Sequence, residues 1–109
     1  MNDLLEQLPK GWYRSDEEEA NRLHTELQRE LLPGHLLYNR NVKVVAHREG
    51  TNDILCQRIE ESERFTVIHL SWKMSQEIYK QHPWVEVDGD FQAFLNYEAY
   101  YSNILYSGQ

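Results

Sequence analysis

The stretch that most constrains the fold is the apolar run from Phe65 to Trp72, FTVIHLSW. Its β-branched and aromatic residues favour an extended strand, and charged or polar segments bound it on both sides. The run therefore predicts a central strand of a sheet. One imidazole, His69, lies within it, and this polar group is the first candidate for a functional site.

Three further strands are expected around this run. Residues Val42 to His47 alternate with period two, and Ile54 to Ile59 follow a Gly- and Asn-containing turn at 49–53. A second polar turn leads into the central strand, so these three strands are expected to form an antiparallel meander. Trp84 to Val87 alternates again and predicts an edge strand, because Pro83 cannot donate a ladder hydrogen bond.

Helical patterns flank the strands. Ser15 to Glu18 has the form of a capping box, so a helix is expected to begin at Asp16. Its apolar residues recur at steps of three and four, at Ala20, Leu23, Leu27 and Leu31, until the Pro-Gly pair at 33–34 ends the pattern. A short helix is expected from Ser75, and an aromatic-rich helix from Phe91 to Leu105.

This order of elements predicts an α+β fold. An antiparallel sheet of about four strands, a three-strand meander plus one, is expected to be covered on one face by the N- and C-terminal helices. Alternation in the central strand directs Ile68, Leu70 and Trp72 towards the helices and His69 to the opposite face. A chain of 109 residues without a repeat or a linker fits a single domain, 1–109.

The charge of the chain limits its partners. Eighteen acidic residues against eleven Lys and Arg give a net charge of −7, which opposes binding to nucleic acid and to anionic membranes. No apolar run is long enough to cross a bilayer, and residues 1–20 lack the apolar stretch of a secretory signal. The single cysteine, Cys56, cannot form an internal disulfide. A cytoplasmic location is therefore expected.

The usual catalytic and metal-binding motifs are missing from the sequence. No CxxC, HExxH or EF-hand spacing occurs and the glycines are scattered, so no metal and no nucleotide cofactor are expected. An enzymatic or ligand-binding hypothesis centres on His69 as general base, oriented by Asp53 or Glu49, with Arg48 binding an anionic group. The favoured interpretation of His69 is nevertheless a hydrogen-bonded packing residue.

An interaction surface is the competing hypothesis. After Lys80 the chain has acids but no Lys or Arg, and the tyrosines of the last helix cannot all face the core. Such an acidic, aromatic surface suits a basic protein partner. The expected partner-binding residues are Glu86, Asp88, Asp90, Tyr97, Glu98, Tyr100 and Tyr101.

Four segments of the chain, taken together, form a recognisable pattern. They are VVAHR at 44–48, NDILCQ at 52–57, VIHLSW at 67–72, and Pro83. They resemble a group of small, mostly uncharacterised bacterial proteins whose pattern is roughly VARR, NDDVLFQ, VVHLTW and WP. The resemblance spans residues 36 to about 94. It implies a polar set without a stated reaction: Arg48, Asp53, His69 and Trp72.

The chain departs from this pattern at three positions. His47 replaces an arginine, Ser71 replaces a threonine, and Trp84 follows Pro83 where the group has a tryptophan before the proline. The size and acidity of the chain are also similar to those of immunity proteins that neutralise bacterial toxins.

Three functions follow from these observations as hypotheses. The leading one is a small, acidic, non-enzymatic bacterial interaction module, immunity- or antitoxin-like, that binds a protein partner. The alternative is a small hydrolase or ligand-binding domain with a polar site around His69, Arg48 and Asp53. The third is a structural role in which edge strands drive homodimerisation.

Overall fold

The computed structural model describes residues 4–61, 63–72 and 82–106. Its elements in chain order are a 3₁₀ turn at Leu4–Gln7, β1 (Trp12–Arg14), α1 (Glu17–Glu30), β2 (Val42–Arg48), β3 (Asp53–Arg58), β4 (Phe65–His69), β5 (Trp84–Gly89) and α2 (Phe91–Tyr106). The helix expected from Ser75 lies outside the described residues. Within them, neither helix has the length and apolar character needed to cross a membrane.

The five strands found in these residues form one antiparallel sheet in the order β1-β2-β3-β4-β5. The α+β class, the β2–β4 meander and the edge strand from Trp84 are confirmed. Strand β1 is additional: it has only three residues, too few for a periodic pattern. Strand β3 begins at Asp53 rather than at Ile54, and this places Asp53 directly opposite His69.

Both faces of the sheet are buried, each beneath one helix. On one face Leu23 and Leu27 of α1 pack with Ile54 and Ile68, while on the other α2 packs with Leu55 and its neighbours. The sequence predicted both helices on one face, whereas in the structure α1 covers that face and α2 covers the opposite one. The reason is that alternate residues of β3 and β4 are apolar on both sides, so both sides need cover.

Short polar contacts set the start of each helix. The Asp16 carboxylate accepts a hydrogen bond from the backbone N–H of Glu19 at 2.7 Å, so Asp16 is the cap and α1 begins at Glu17, one residue after the expected start. At the other end of the chain Asp90 accepts from the N–H of Ala93 at 2.8 Å and caps α2.

A buried carboxylate joins α1 to the end of β4. Glu30 accepts hydrogen bonds from the backbone N–H groups of Ser71 at 2.9 Å and Trp72 at 2.8 Å. These contacts occupy the amides that would extend the ladder, so β4 ends at His69 and not at Trp72. Burial, together with a hydrogen bond that the protonated Glu30 carboxyl group donates to Glu26, raises the pKa of Glu30 to about 7.

The raised pKa of Glu30 predicts a stability that falls with pH. Its folded-state pKa lies above the ordinary value of 4.5, so the stabilisation is complete below that value and is lost as pH rises through the folded pKa. The free energy of unfolding of the native chain should decrease between about pH 5 and about pH 8, by up to about 1.4 kcal/mol per pH unit. Urea unfolding followed by tryptophan fluorescence measures this slope.

The variant Glu30→Gln cannot ionise, so its slope over the same range should be flatter than that of the native chain. Glu63→Gln, at an exposed glutamate, is the matched control and should keep the native slope. Equal slopes for the Glu30→Gln variant and the native chain would contradict the assignment.

Candidate functional site

A row of five residues crosses the sheet on the α2 side. Trp12 pairs with Arg48 between β1 and β2, Asp53 pairs with His69 between β3 and β4, and His69 pairs with Trp84 of β5. Residues directly opposite each other on neighbouring strands share a face, and the Arg48 guanidinium lies 3.9 Å from the Asp53 carboxylate. We call this set, Trp12, Arg48, Asp53, His69 and Trp84, the polar row.

The centre of the polar row is the pair of His69 and Asp53. Nδ1 of His69 lies 2.7 Å from Oδ1 of Asp53. The Asp53 side chain is 7% exposed, whereas the His69 side chain is 49% exposed. The carboxylate favours the tautomer with the proton on Nδ1, and Nε2 has no hydrogen-bond partner among the described residues. His69 is thus hydrogen-bonded as expected but not buried, and Nε2 can accept a proton or bind a cation.

Arg48 is held by the protein on several sides. Besides approaching Asp53, its guanidinium donates to Oε1 of Glu98 on α2 and lies 5.8 Å from the centre of the Trp12 ring. The indole N–H of Trp12 donates to the same Glu98 oxygen at 2.8 Å. The sequence suggested an anionic ligand for Arg48, but in the structure its charge is balanced by Asp53 and Glu98.

Glu86 enters the site through an irregularity in the sheet. Val67 pairs with Val87 and Ile68 pairs with Val85, so Glu86 is an extra residue of β5 at a bulge. One nitrogen or carboxylate oxygen from each of Asp53, His69 and Glu86 lies within 4.8 Å of the others. Burial raises the pKa of Glu86, and the nearby charges of Asp53 and Glu98 raise it further.

The polar row and its neighbours contain more acid than base. Three carboxylates, those of Asp53, Glu86 and Glu98, share one guanidinium, that of Arg48. The second oxygen of Glu98, Oε2, is buried and has no hydrogen-bond partner within the described part of the chain. An environment of this kind stabilises a bound cation and disfavours a bound anion.

Two residues expected at a partner surface instead make internal contacts. Asp88 accepts hydrogen bonds from Arg58 at 3.2 Å and from Thr66 at 2.6 Å, and it forms an ion pair with Arg64. These contacts, chiefly those with Arg64 and Thr66, outweigh partial burial and lower the pKa of Asp88. Glu98 is only 4% exposed and faces Arg48.

The remaining residues of that expected surface lie on or beside α2. Asp90 is exposed and caps the helix, Tyr97 is half-buried, and Tyr100 is 65% exposed. The side chain of Tyr101 lies outside the part of the chain that the structure describes. Trp84, which the sequence did not assign to a partner surface, is 54% exposed beside His69.

Cys56 and Trp72 lie apart from the polar row. Cys56 is fully buried and burial raises the pKa of its thiol to about 12, so it behaves as a small apolar side chain. Trp72 packs against the core on the α1 side, with the Arg22 guanidinium 5.6 Å from its ring. The structure therefore brings together three of the four residues implied by the bacterial resemblance: Arg48, Asp53 and His69.

Comparison with models of protein families, with curated proteins and with solved structures found no match to this chain. The bacterial resemblance accordingly stays a prediction, and the candidate site is supported by its own geometry.

The His69–Asp53 contact predicts a specific tautomer. With the Asp53 carboxylate as acceptor, neutral His69 should carry its proton on Nδ1. The variant Asp53→Asn can donate from its amide group instead, so it should shift His69 towards the tautomer with the proton on Nε2. The ¹⁵N chemical shifts of the ring, measured at mildly alkaline pH, distinguish the two forms.

Glu49→Gln is the control, since Glu49 was the other residue that the sequence offered to orient His69 and it is exposed. It should leave the His69 ring signals unchanged. An Nε2-protonated ring in the native chain, or a Glu49→Gln variant that acts like Asp53→Asn, would exclude the proposed pairing.

Proposed function

We propose that this domain binds a cationic ligand at the polar row, with Nε2 of His69 as a contact atom. The observation that carries the proposal is the 2.7 Å contact of His69 Nδ1 with buried Asp53, while the imidazole itself is 49% exposed. A buried acceptor holds one side of the ring, and the other nitrogen is available to a ligand or to a proton. The hydrolytic alternative would use this same nitrogen as general base.

The charge of the site supports a cation as the ligand. Arg48 already contacts Asp53 and Glu98, so a ligand anion would compete with two carboxylates for one guanidinium. A ligand cation would meet Glu86, whose pKa is raised because burial and neighbouring acids disfavour its charged form. Binding a positive charge there relieves this repulsion.

The edge of the site supports an organic cation of modest size. Trp84 lies opposite His69 in the ladder and is 54% exposed. An exposed indole beside carboxylates can hold an ammonium or guanidinium group through its ring face, a contact worth about 0.5–1 kcal/mol at an exposed position.

Ligand-detected NMR with a panel of small cations and anions tests this function. Guanidinium and alkylammonium compounds should bind in preference to carboxylates and phosphates of similar size, because the site has a surplus of negative charge. His69→Ala and Trp84→Ala should each weaken binding of the selected cations by several-fold or more, on the order of 1 kcal/mol. The signals of the Trp84 indole should shift on binding to the native chain.

His24→Ala is the matched control, because His24 belongs to α1 on the opposite side of the sheet. It should bind like the native chain. Preference for the anions, or cation binding that the His69→Ala variant retains in full, would contradict the proposal.

A second candidate function, binding of a basic protein partner, is favoured by the exposed aromatic side chains. Trp84 is 54% and Tyr100 is 65% exposed, and large aromatic side chains are frequent energetic anchors of interfaces. We propose on this basis that the domain acts as a cytoplasmic, immunity- or antitoxin-like module. A lysine or arginine of the partner would then supply the cation for the polar row.

Capture of interacting proteins with Trp84→Ala and Tyr100→Ala variants tests the second candidate. Charge reversal at Asp88 or Glu98 would disturb internal ion pairs. Substitution of Trp84 or Tyr100 leaves those ion pairs intact and is therefore the more specific test. Each should reduce recovery of a basic partner that the native chain captures, since both remove an exposed anchor. Tyr38→Ala, at a tyrosine that is 38% exposed, is the control. If all three variants recover the basic partner equally, the surface that contains Trp84 and Tyr100 is not the binding surface.

A further inference from the structure

We infer, on the basis of the cation-binding function proposed above, that Asp53, His69 and Glu86 together bind one divalent transition-metal ion, with zinc as the best-suited ion. The three side chains come from strands β3, β4 and β5 and meet on the α2 side of the sheet. Their sequence spacing matches no common metal motif, so only the fold brings them together.

The distances among the three side chains are close to what an ion requires. The candidate ligand atoms all lie within 4.8 Å of one another. Two ligands of one tetrahedral zinc ion, each about 2.1 Å from the metal, are about 3.4 Å apart. A zinc ion would replace the proton between His69 Nδ1 and Asp53, so these two atoms would move apart from 2.7 Å to about 3.4 Å while Glu86 approaches. Glu86 stands at a bulge and His69 is half-exposed, so both can adjust without disturbing the core.

The chemistry of the donor set selects among metals. One imidazole nitrogen and two carboxylate oxygens suit zinc and other first-row divalent ions. Magnesium and calcium prefer oxygen ligands alone, so they should bind more weakly here. Three protein ligands beside an exposed imidazole also leave a coordination position for water or for a substrate, as in catalytic zinc sites.

Glu98 provides an independent observation that favours a cation at this place. It is 4% exposed, and its Oε1 accepts from both Trp12 and Arg48. Its Oε2 is buried without a partner among the described residues, and the charge of Glu98 acts on Glu86. Carboxylates Asp53, Glu86 and Glu98 exceed the single charge of Arg48, and a divalent ion supplies the missing positive charge.

Isothermal titration calorimetry of the full, metal-stripped chain with zinc chloride tests the inference. One zinc ion should bind per chain, and the affinity for magnesium should be lower than that for zinc by about tenfold or more. His69→Ala and Glu86→Gln should each weaken zinc binding by about tenfold or more, because each removes one ligand. The controls His24→Ala and Glu63→Gln, in which the substituted residues lie outside the site, should bind zinc within about twofold of the native chain.

Manganese broadening of NMR signals on the native chain provides a second measurement that needs no variant. Added manganese should broaden the signals of Asp53, His69 and Glu86 before those of His24, which belongs to α1 on the opposite side of the sheet. Circular dichroism of each variant shows whether a loss of zinc binding reflects a lost ligand or a lost fold. If a variant is unfolded, the manganese measurement on the native chain decides the test.

The possible results separate the metal from the wider function. Zinc binding that His69→Ala and Glu86→Gln leave unchanged, or manganese broadening centred elsewhere, would overturn the metal site. If zinc fails to bind while organic cations still bind in a His69-dependent manner, the proposed metal site is wrong and the cation-binding function stands. If neither zinc nor the organic cations bind, both proposals are wrong.

Discussion

The burial of both faces of β3 and β4 is the constraint on which the rest of the structure depends. Ile54 and Ile68 face α1, while Leu55 and Val67 face α2, so neither helix can be omitted without exposing apolar surface to water. The apolar contacts end at Asp53 and His69, where the alternating pattern places two polar side chains on the α2 face. The candidate site is therefore a consequence of where the hydrophobic core stops.

The position of α2 determines the electrostatics of that site. The helix begins directly after β5 and carries Glu98 to within hydrogen-bonding distance of Trp12 and Arg48. Glu98 binds the Arg48 guanidinium, and burial together with the charges of Asp53 and Glu98 raises the pKa of Glu86. This surplus of negative charge is the reason that we propose a cation at a place where the sequence alone suggested an anion.

Much of the sheet could be predicted from the sequence, because the strands β2 to β5 have clear alternation or unbroken β-branched runs. The side of the sheet that α2 covers could not be predicted, since each alternating set of β4 is apolar apart from one residue, Thr66 in one set and His69 in the other. Strand β1 is three residues long and has no periodic pattern to recognise. Glu30 ended β4 earlier than its composition suggested, because contacts from a distant helix overrode local propensity.

The candidate site was predicted only in part. Arg48, Asp53 and His69 were grouped from residue type and strand order, and the structure does bring them together. Glu86 was missed as a member of this site because it reaches Asp53 through a bulge, and a bulge leaves little trace in a single sequence. Glu98 was expected at the surface but is buried. The sequence could not show this, because tertiary packing decides which face of a helix is buried.

A crystal structure of the chain soaked with zinc, with anomalous diffraction data collected at the zinc edge, would locate any bound ion. If the metal site proposed beside the polar row is correct, an anomalous peak should lie between the side chains of Asp53, His69 and Glu86. Zinc bound only at other histidines, with His69 still hydrogen-bonded to Asp53 and no ion beside them, would contradict the proposed metal site.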